Sequence, residues 1–386
     1  MSQVPINPRL LQWARQRAGL TVDELARKLQ LKAERVGAWE VGEARPSWPQ
    51  AQKLARVLHI PFGYLFLSEP PQTVLPTIAD FRTLPGAQAG RFSPALEDAL
   101  NDALRKRDWL RERRISEGAS PLPFVGSFTT NAPVDTVAAD IRGHLHLPLP
   151  PAEGLKSWEA HLQRLVSSAE EAGILVLQSG VALGDSRRPL FIEEVRGFTL
   201  VDEYAPVIFI NTRDSVAGRI FTLVHELAHL WSGTSGVSNP MPGDAPESPA
   251  VERFCNRVAG ELLAPKTVFL PAWQRHEDVA LSERAQALAQ EFRVSAFVVL
   301  IRAYELDLIS RPALDEAYQQ AQQAATAVEA KTSGGGDFYR TLRSRNGRVL
   351  VDEVLLALRQ GETLYREAAT LLNVRVGTLG KALERM

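Results

Sequence analysis

The chain has 386 residues, 45% hydrophobic and 23% charged, which is the make-up of a soluble globular protein too long for one ordinary core, so two to four domains are expected. No run of about 18 apolar residues occurs, which argues against a membrane-spanning helix, and the opening MSQVPINPRLLQW lacks the basic and apolar stretches of a signal peptide. The single cysteine, Cys255, excludes an internal disulfide and suits a reducing compartment, so the cytoplasm is the expected location.

Net charge is −1, but its distribution is uneven. Residues 1–70 hold ten Lys/Arg against six Asp/Glu, a modest excess of the sign that suits DNA. Over 8–67 the pattern predicts a run of short helices. Thr21 and Glu24 form a capping box ahead of Val22, Leu25, Ala26 and Leu29. A break at Gln30–Leu31 leads to a helix over Lys32–Glu40, stopped by Gly42. Ser47 and Gln50 form a second box, with Pro49 in the first turn, before Leu54, Ala55 and Leu58.

This unit resembles the XRE/Cro family of helix-turn-helix proteins. Gly19-Leu-Thr21-Val-Asp-Glu24-Leu-Ala26 stands for the second helix, and Trp39-Glu40-x-Gly42-x-x-x-Pro46-Ser47 for the segment after the recognition helix. The resemblance implies operator DNA as a partner, with Lys32, Ala33, Glu34 and Arg35 at the major groove and Val36 and Trp39 in the core. A retained protein-interaction module is the alternative. Helix-turn-helix proteins commonly read two half-sites as dimers, so a homodimer stays open.

Pro70, Pro71, Pro76 and Pro85 mark a linker. Residues 94–116 read as a helix whose basic set (Arg105, Lys106, Arg107, Arg111, Arg113 and Arg114) is expected to face solvent or a partner. Residues 173–178 and 198–210 have strand character with a turn at Asp202–Pro206, and a helix is expected over 215–231. The segment GTSGVSNPMPGDAPESP, 233–249, reads as loop, and a further helix runs from Pro249 to about Leu263, where Pro265 stops it. More helices fill 280–330. Gly334–Gly336 reads as a hinge before a small C-terminal unit, in which residues 365–379 suggest two short helices joined by a turn, either a second helix-turn-helix or a plain helical hairpin.

The chemistry concentrates in His225-Glu226-Leu-Ala-His229, an HExxH sequence. Ile220, Leu223, Val224 and Leu227 recur at three and four residues, so it lies on an amphipathic helix. There the two histidines sit one turn apart and can share one Zn²⁺, while Glu226 projects beside them as a base for water. A catalytic zinc needs a third protein ligand. Glu252, on the next helix, shares a stripe with Asn256, Ala259 and Leu263, so it can point at the first helix while Asn256 orients it. Two core-edge histidines with a salt-bridging glutamate, or a purely structural zinc, are the other readings. Tyr204, Arg219 and Asn256 are equal candidates for stabilising an oxyanion.

These residues resemble the ImmA/IrrE-type metallopeptidases. The match comprises Ile210-Asn211, Arg219-Ile-Phe221-Thr-Leu-Val-His225-Glu-Leu-Ala-His229, and the series from Glu252 to Pro265. It implies zinc, one per chain, on His225, His229 and Glu252, with Glu226 as the catalytic base. The family's usual alanine before the asparagine is Cys255 here. Its sulfur is either a small buried hydrophobe or a metal switch that holds the site inactive.

The expected fold is multidomain and mainly α. It comprises an all-α helix-turn-helix (1–70), a linker with a helical segment (71–150), a central α+β zincin-like domain with a small antiparallel sheet (151–330) and a helical C-terminal unit (337–386). The expected function is a DNA-associated cytosolic zinc endopeptidase that cleaves a repressor or antitoxin-like protein in a stress, mobile-element or toxin-antitoxin response. The alternative is a transcription regulator or antitoxin whose metal domain senses a ligand or is structural.

Overall fold

The computed structural model describes residues 3–71, 79–80, 92–150, 157–238, 249–326 and 338–383. It divides into two compact units, Met1–Thr77 with Arg91–Asp98 and Ile78–Gly90 with Ala99–Met386. The linker prolines Pro76 and Pro85, the loop residues 239–248 and the glycine hinge 334–336 lie outside the described residues.

The first unit contains α1 (Pro8–Arg17), α2 (Val22–Leu29), α3 (Ala33–Glu40), α4 (Trp48–Val57) and a 3-10 turn at Phe62–Phe66. Both capping boxes form. Thr21 Oγ1 accepts from Glu24 N at 3.2 Å while Glu24 accepts from Thr21 N at 2.8 Å, and Gln50 accepts from Ser47 N at 2.8 Å. Each box satisfies N-terminal donors that have no partner within the helix. Leu11, Leu25, Leu29, Val36, Trp39, Leu54 and Leu58 fill the core. Arg15 grips both oxygens of Glu40 at 2.6 and 3.0 Å, tying α1 to the end of α3.

The second unit begins with β1 (Ala79–Asp80) and α5 (Pro94–Ser116), whose first residues belong to the first unit, then α6 (Val134–His144) and α7 (Trp158–Glu171). Next come β2 (Leu175–Gln178), β3 (Gly197–Leu200), β4 (Val207–Ile210), α8 (Val216–Trp231), β5 (Gly236–Ser238) and α9 (Ala250–Leu263). The helices α10 (Lys266–Gln274), α11 (Leu281–Phe292), α12 (Ala296–Glu305) and α13 (Arg311–Thr326) follow. The chain closes with α14 (Phe338–Asn346), α15 (Arg348–Gln360), α16 (Tyr365–Leu371) and α17 (Val376–Leu383).

The sheet order is β1-β5-β3-β4-β2. Strand β3 runs antiparallel to β4 and β5, whereas β2 pairs parallel with β4 and β1 parallel with β5. The expectation of an antiparallel sheet is therefore corrected to a mixed one. The hairpin β3–β4 turns back so that β4, not β3, lies beside β2, and because the chain reverses twice between β2 and β4 the two run the same way. A second correction concerns 233–249, read as loop throughout. Gly236–Ser238 is a buried strand, because three residues are too few to show periodicity and β3 supplies the pairing partner.

Helix α8 packs on β3 and β4 and against α7 and α9, and α6 lies against both α8 and α9. One continuous core, from Val137 and Leu165 through Leu227 and Val258 to Phe292, joins these helices to the sheet. The basic face of α5 is not simply solvated. Lys106 is buried, Arg113 pairs with Glu353 and Glu362 at 2.7 and 2.9 Å, and Arg114 donates to the carbonyl oxygens of Gly173, at 2.8 Å, and Tyr204. The C-terminal helices pack on β2. There Gly347 adopts φ +76°, and a Cβ added to it would lie 2.4 Å from Leu175 Cδ1, so glycine permits the close approach. The adjoining Arg348 N donates to Glu170 at 2.6 Å.

Candidate metal centre

Ser215 caps α8 by accepting from Gly218 N at 3.0 Å. Just before it, the buried Asn211 donates to the carbonyls of Leu190 and Val195, both at 2.9 Å, and accepts from Arg213 N at 3.0 Å. The turn that launches the helix is thereby fixed by one side chain. From Ile220 to Trp231 every residue of α8 is buried, so its polar side chains must find partners inside the protein.

They find them on α9 and the sheet. His225 Nε2 and His229 Nε2 lie 3.0 Å apart, Glu252 Oε2 lies 3.2 Å from His225 Nε2, and Glu252 Oε1 lies 2.9 Å from His229 Nε2. Among the described residues these three form the group able to hold a metal ion. In a tetrahedral site with bonds of about 2.0–2.1 Å, ligand atoms stand about 3.3 Å apart, close to the observed edges. Two imidazole nitrogens and a carboxylate are also the donor types that zinc takes. The residues present fit the ion.

Electrostatics agree with geometry. Burial opposes charge on His225, but Glu252 beside it prevails and lifts its pKa above the ordinary value. Burial likewise opposes ionisation of Glu252, yet the two imidazoles hold it down to about 2. Glu252 sits in the first turn of α9, where the helix dipole also favours a carboxylate. Asn256, one turn further on, is buried and interacts with the His225 side chain.

Glu226 is held from the other side. Thr199 of β3 donates its hydroxyl to Glu226 Oε2 at 2.7 Å, and Ser238 of β5 hydrogen-bonds Oε1. Burial pushes the Glu226 carboxyl above its ordinary value, against the pull of both histidines and the two hydroxyls. Gly197 makes this approach feasible, since a Cβ there would lie 2.5 Å from Thr222 Cγ2 and 2.8 Å from Glu226 Oε1. Sequence reasoning missed Thr199, Ser238 and Gly197. The only signal was Thr199 standing alone between Phe198 and Leu200 in a strand buried on both faces.

Cys255 is fully buried and outside the three-residue group. Burial and the carboxylates of Glu252 and Glu226 push its thiol well above the ordinary value, with Ser232 opposing. Tyr204 lies under the Arg111 guanidinium of α5, 5.7 Å from ring centroid to Cζ. Arg219 occupies the first turn of α8, and burial lowers its pKa. In the first unit Lys32, Glu34 and Arg35 are exposed, Ala33 is half-buried against the core, and Val36 and Trp39 are buried.

Residues 169–304 match the family model described as IrrE N-terminal-like domain, a metallopeptidase family, and residues 11–65 match the model described as Helix-turn-helix. The chain thus carries a helix-turn-helix match followed by an ImmA/IrrE-type peptidase-domain match, the pairing its sequence motifs suggest. Peptidases of this family are typically metal-dependent, in keeping with the buried His-His-Glu group. No match is found among curated proteins.

Proposed function

We propose that this protein is a cytoplasmic zinc endopeptidase, tethered to operator DNA by its first unit, that cleaves a repressor or antitoxin-like protein. The proposed ligands are His225, His229 and Glu252, with one zinc per chain and Asn256 orienting His225. Zinc held there supplies Lewis acidity, which polarises a peptide carbonyl and acidifies water. Glu226 is the proposed base. Burial raises its pKa, and Thr199 and Ser238 fix both of its oxygens beside the proposed ligands. Lys32, Ala33, Glu34 and Arg35 are the proposed DNA-contacting residues, with a homodimer on two half-sites. Cys255 is better supported as a packing residue than as a metal switch, because it is fully buried and its sulfur lies outside the group formed by His225, His229 and Glu252.

The observation that carries this reading is the clamp on Glu226. A structural or sensing zinc needs three or four ligands but no carboxylate oriented beside them. The burial of His225, Glu226 and His229 favours a gated enzyme, and it also supports the second reading, a regulator whose metal domain senses a ligand without cutting. Elemental analysis of wild type and His225→Ala, together with incubation of wild type and Glu226→Gln with repressors encoded at the same locus, separates the two. One zinc lost in the histidine variant, with cleavage lost in the glutamate variant, supports the peptidase. Zinc without cleavage, and equal operator binding by wild type and Glu226→Gln, moves the assignment to the regulator.

A further inference from the structure

Within the second unit a cavity of about 300 Å³ lies between α5, the end of β2 and the C-terminal helices. It shares no residue with the metal centre. Its size falls at the lower end of small-molecule sites, about 300–1,000 Å³. Leu177, Phe209 and Leu372 give it an apolar wall, while Lys106, Arg345 and Arg375 bring positive charge. Asp102 is the one acidic lining residue among those described.

Charge in the cavity does not balance. Lys106 is 2% exposed, and its ammonium carries three donors, yet Asp102 is its one hydrogen-bond partner among the described residues. That carboxylate is already shared, taking Arg105 on one oxygen and Asn373 on the other, the latter at 2.8 Å. Burial pushes Lys106 below its ordinary pKa, with Asp102 resisting, as expected of a cation that lacks enough counter-charge. Arg345 and Arg375 are exposed at the rim and make no ion pair among the described residues. Arg345 Nη1 would stand 3.3 Å from a Cβ added at Gly184, so its guanidinium lies against the opposite lip. Buried donors without acceptors, beside an apolar wall, are what a ligand with an anionic head and an apolar body would complete.

We infer that this cavity binds a small organic anion, a carboxylate or phosphate monoester on an apolar body. The head lies against Lys106, Arg345 and Arg375, and the body against Leu177, Phe209 and Leu372. The site is independent of the metal reading. It is built where the C-terminal helices meet β2, so a bound ligand would bridge the last elements of the chain to the sheet.

Calorimetric titration of the full chain with naphthoate, naphthyl phosphate and the neutral naphthylmethanol tests this, and the two anions distinguish a carboxylate from a phosphate head. At least one anion should bind, with the alcohol at least tenfold weaker. Arg345→Ala/Arg375→Ala should weaken the anion at least tenfold without shifting the melting temperature, since both side chains are exposed. Val374→Trp, which fills the cavity, should abolish binding. His225→Ala should leave it unchanged, which separates this site from a carboxylate bound at zinc. Failure of both anions to bind, equal binding of the alcohol, full affinity in the double arginine variant, or loss of affinity in His225→Ala would each overturn the inference.

Discussion

Helices α8 and α3 both carry the chemistry proposed for their units, but they are embedded in opposite ways. In α8 every residue from Ile220 to Trp231 is buried, and each reactive group is gripped by another element: the histidines by Glu252 of α9, and Glu226 by Thr199 and Ser238 of the sheet. In α3 only Val36 and Trp39 are buried, while Glu34, Arg35 and the N-cap residue Lys32 face water. A buried reactive group must be oriented before substrate arrives, because an unpartnered polar atom inside a protein costs about 1–3 kcal/mol. An exposed one can wait for its partner. Substitutions around α8 should therefore couple activity to stability, whereas those on α3 should alter binding alone.

That contrast can be broken at several points. The largest effect is expected from Glu226→Gln, which keeps the shape of the side chain but not its basicity. Cleavage should fall by about 10²–10⁴-fold while zinc content stays at wild-type level, as read by single-turnover assays and elemental analysis. Retained cleavage would remove Glu226 from the proposed role. Zinc removal comes next. A ligand that binds only the folded state at a hundred to a thousand times its Kd stabilises it by about 2.7–4.1 kcal/mol. Chelation should therefore lower the melting temperature of wild type and leave His225→Ala unmoved.

Thr199→Val tests the clamp. Loss of a buried hydroxyl partner should cost about 1–3 kcal/mol in urea unfolding and reduce cleavage, while Thr199→Ser should restore both; cleavage untouched in the valine variant would mean that the clamp is only structural. Gly197→Ala should destabilise by about 1–3 kcal/mol, the usual cost of overpacking, because the new methyl meets Thr222 and Glu226. The smallest effect is expected on α3. Lys32→Ala and Arg35→Ala should weaken operator binding, each reducing the salt slope by roughly one if it contacts a phosphate. Neither should change melting temperature or zinc content, and a shift in either quantity would erase the contrast between the helices.

Features that depend on neighbours along the chain were legible in the sequence. The capping boxes at Thr21 and Ser47, the single turn between His225 and His229, and the stripe from Glu252 to Leu263 each follow from the helical repeat, which needs no knowledge of the rest of the fold. Features that depend on distant partners were not. Lys106 looked like part of a solvated charge run, and only the arrival of Asn373 and the C-terminal helices encloses it. Gly236–Ser238 is too short to announce itself as a strand, and β3 makes it one.

Spacing of three or four residues sets a helix face directly, so the amino-acid pattern alone identifies the groups that can share a metal, the helices that present them and where those helices begin. The mixed sheet, the orientation of Glu226 by Thr199 and Ser238 across the gap left by Gly197, and the buried lysine that lines a cavity emerge only once the chain is folded. Those outcomes rest on pairings between residues tens to hundreds of positions apart. No local pattern encodes such pairings, since they are set by how the whole core packs.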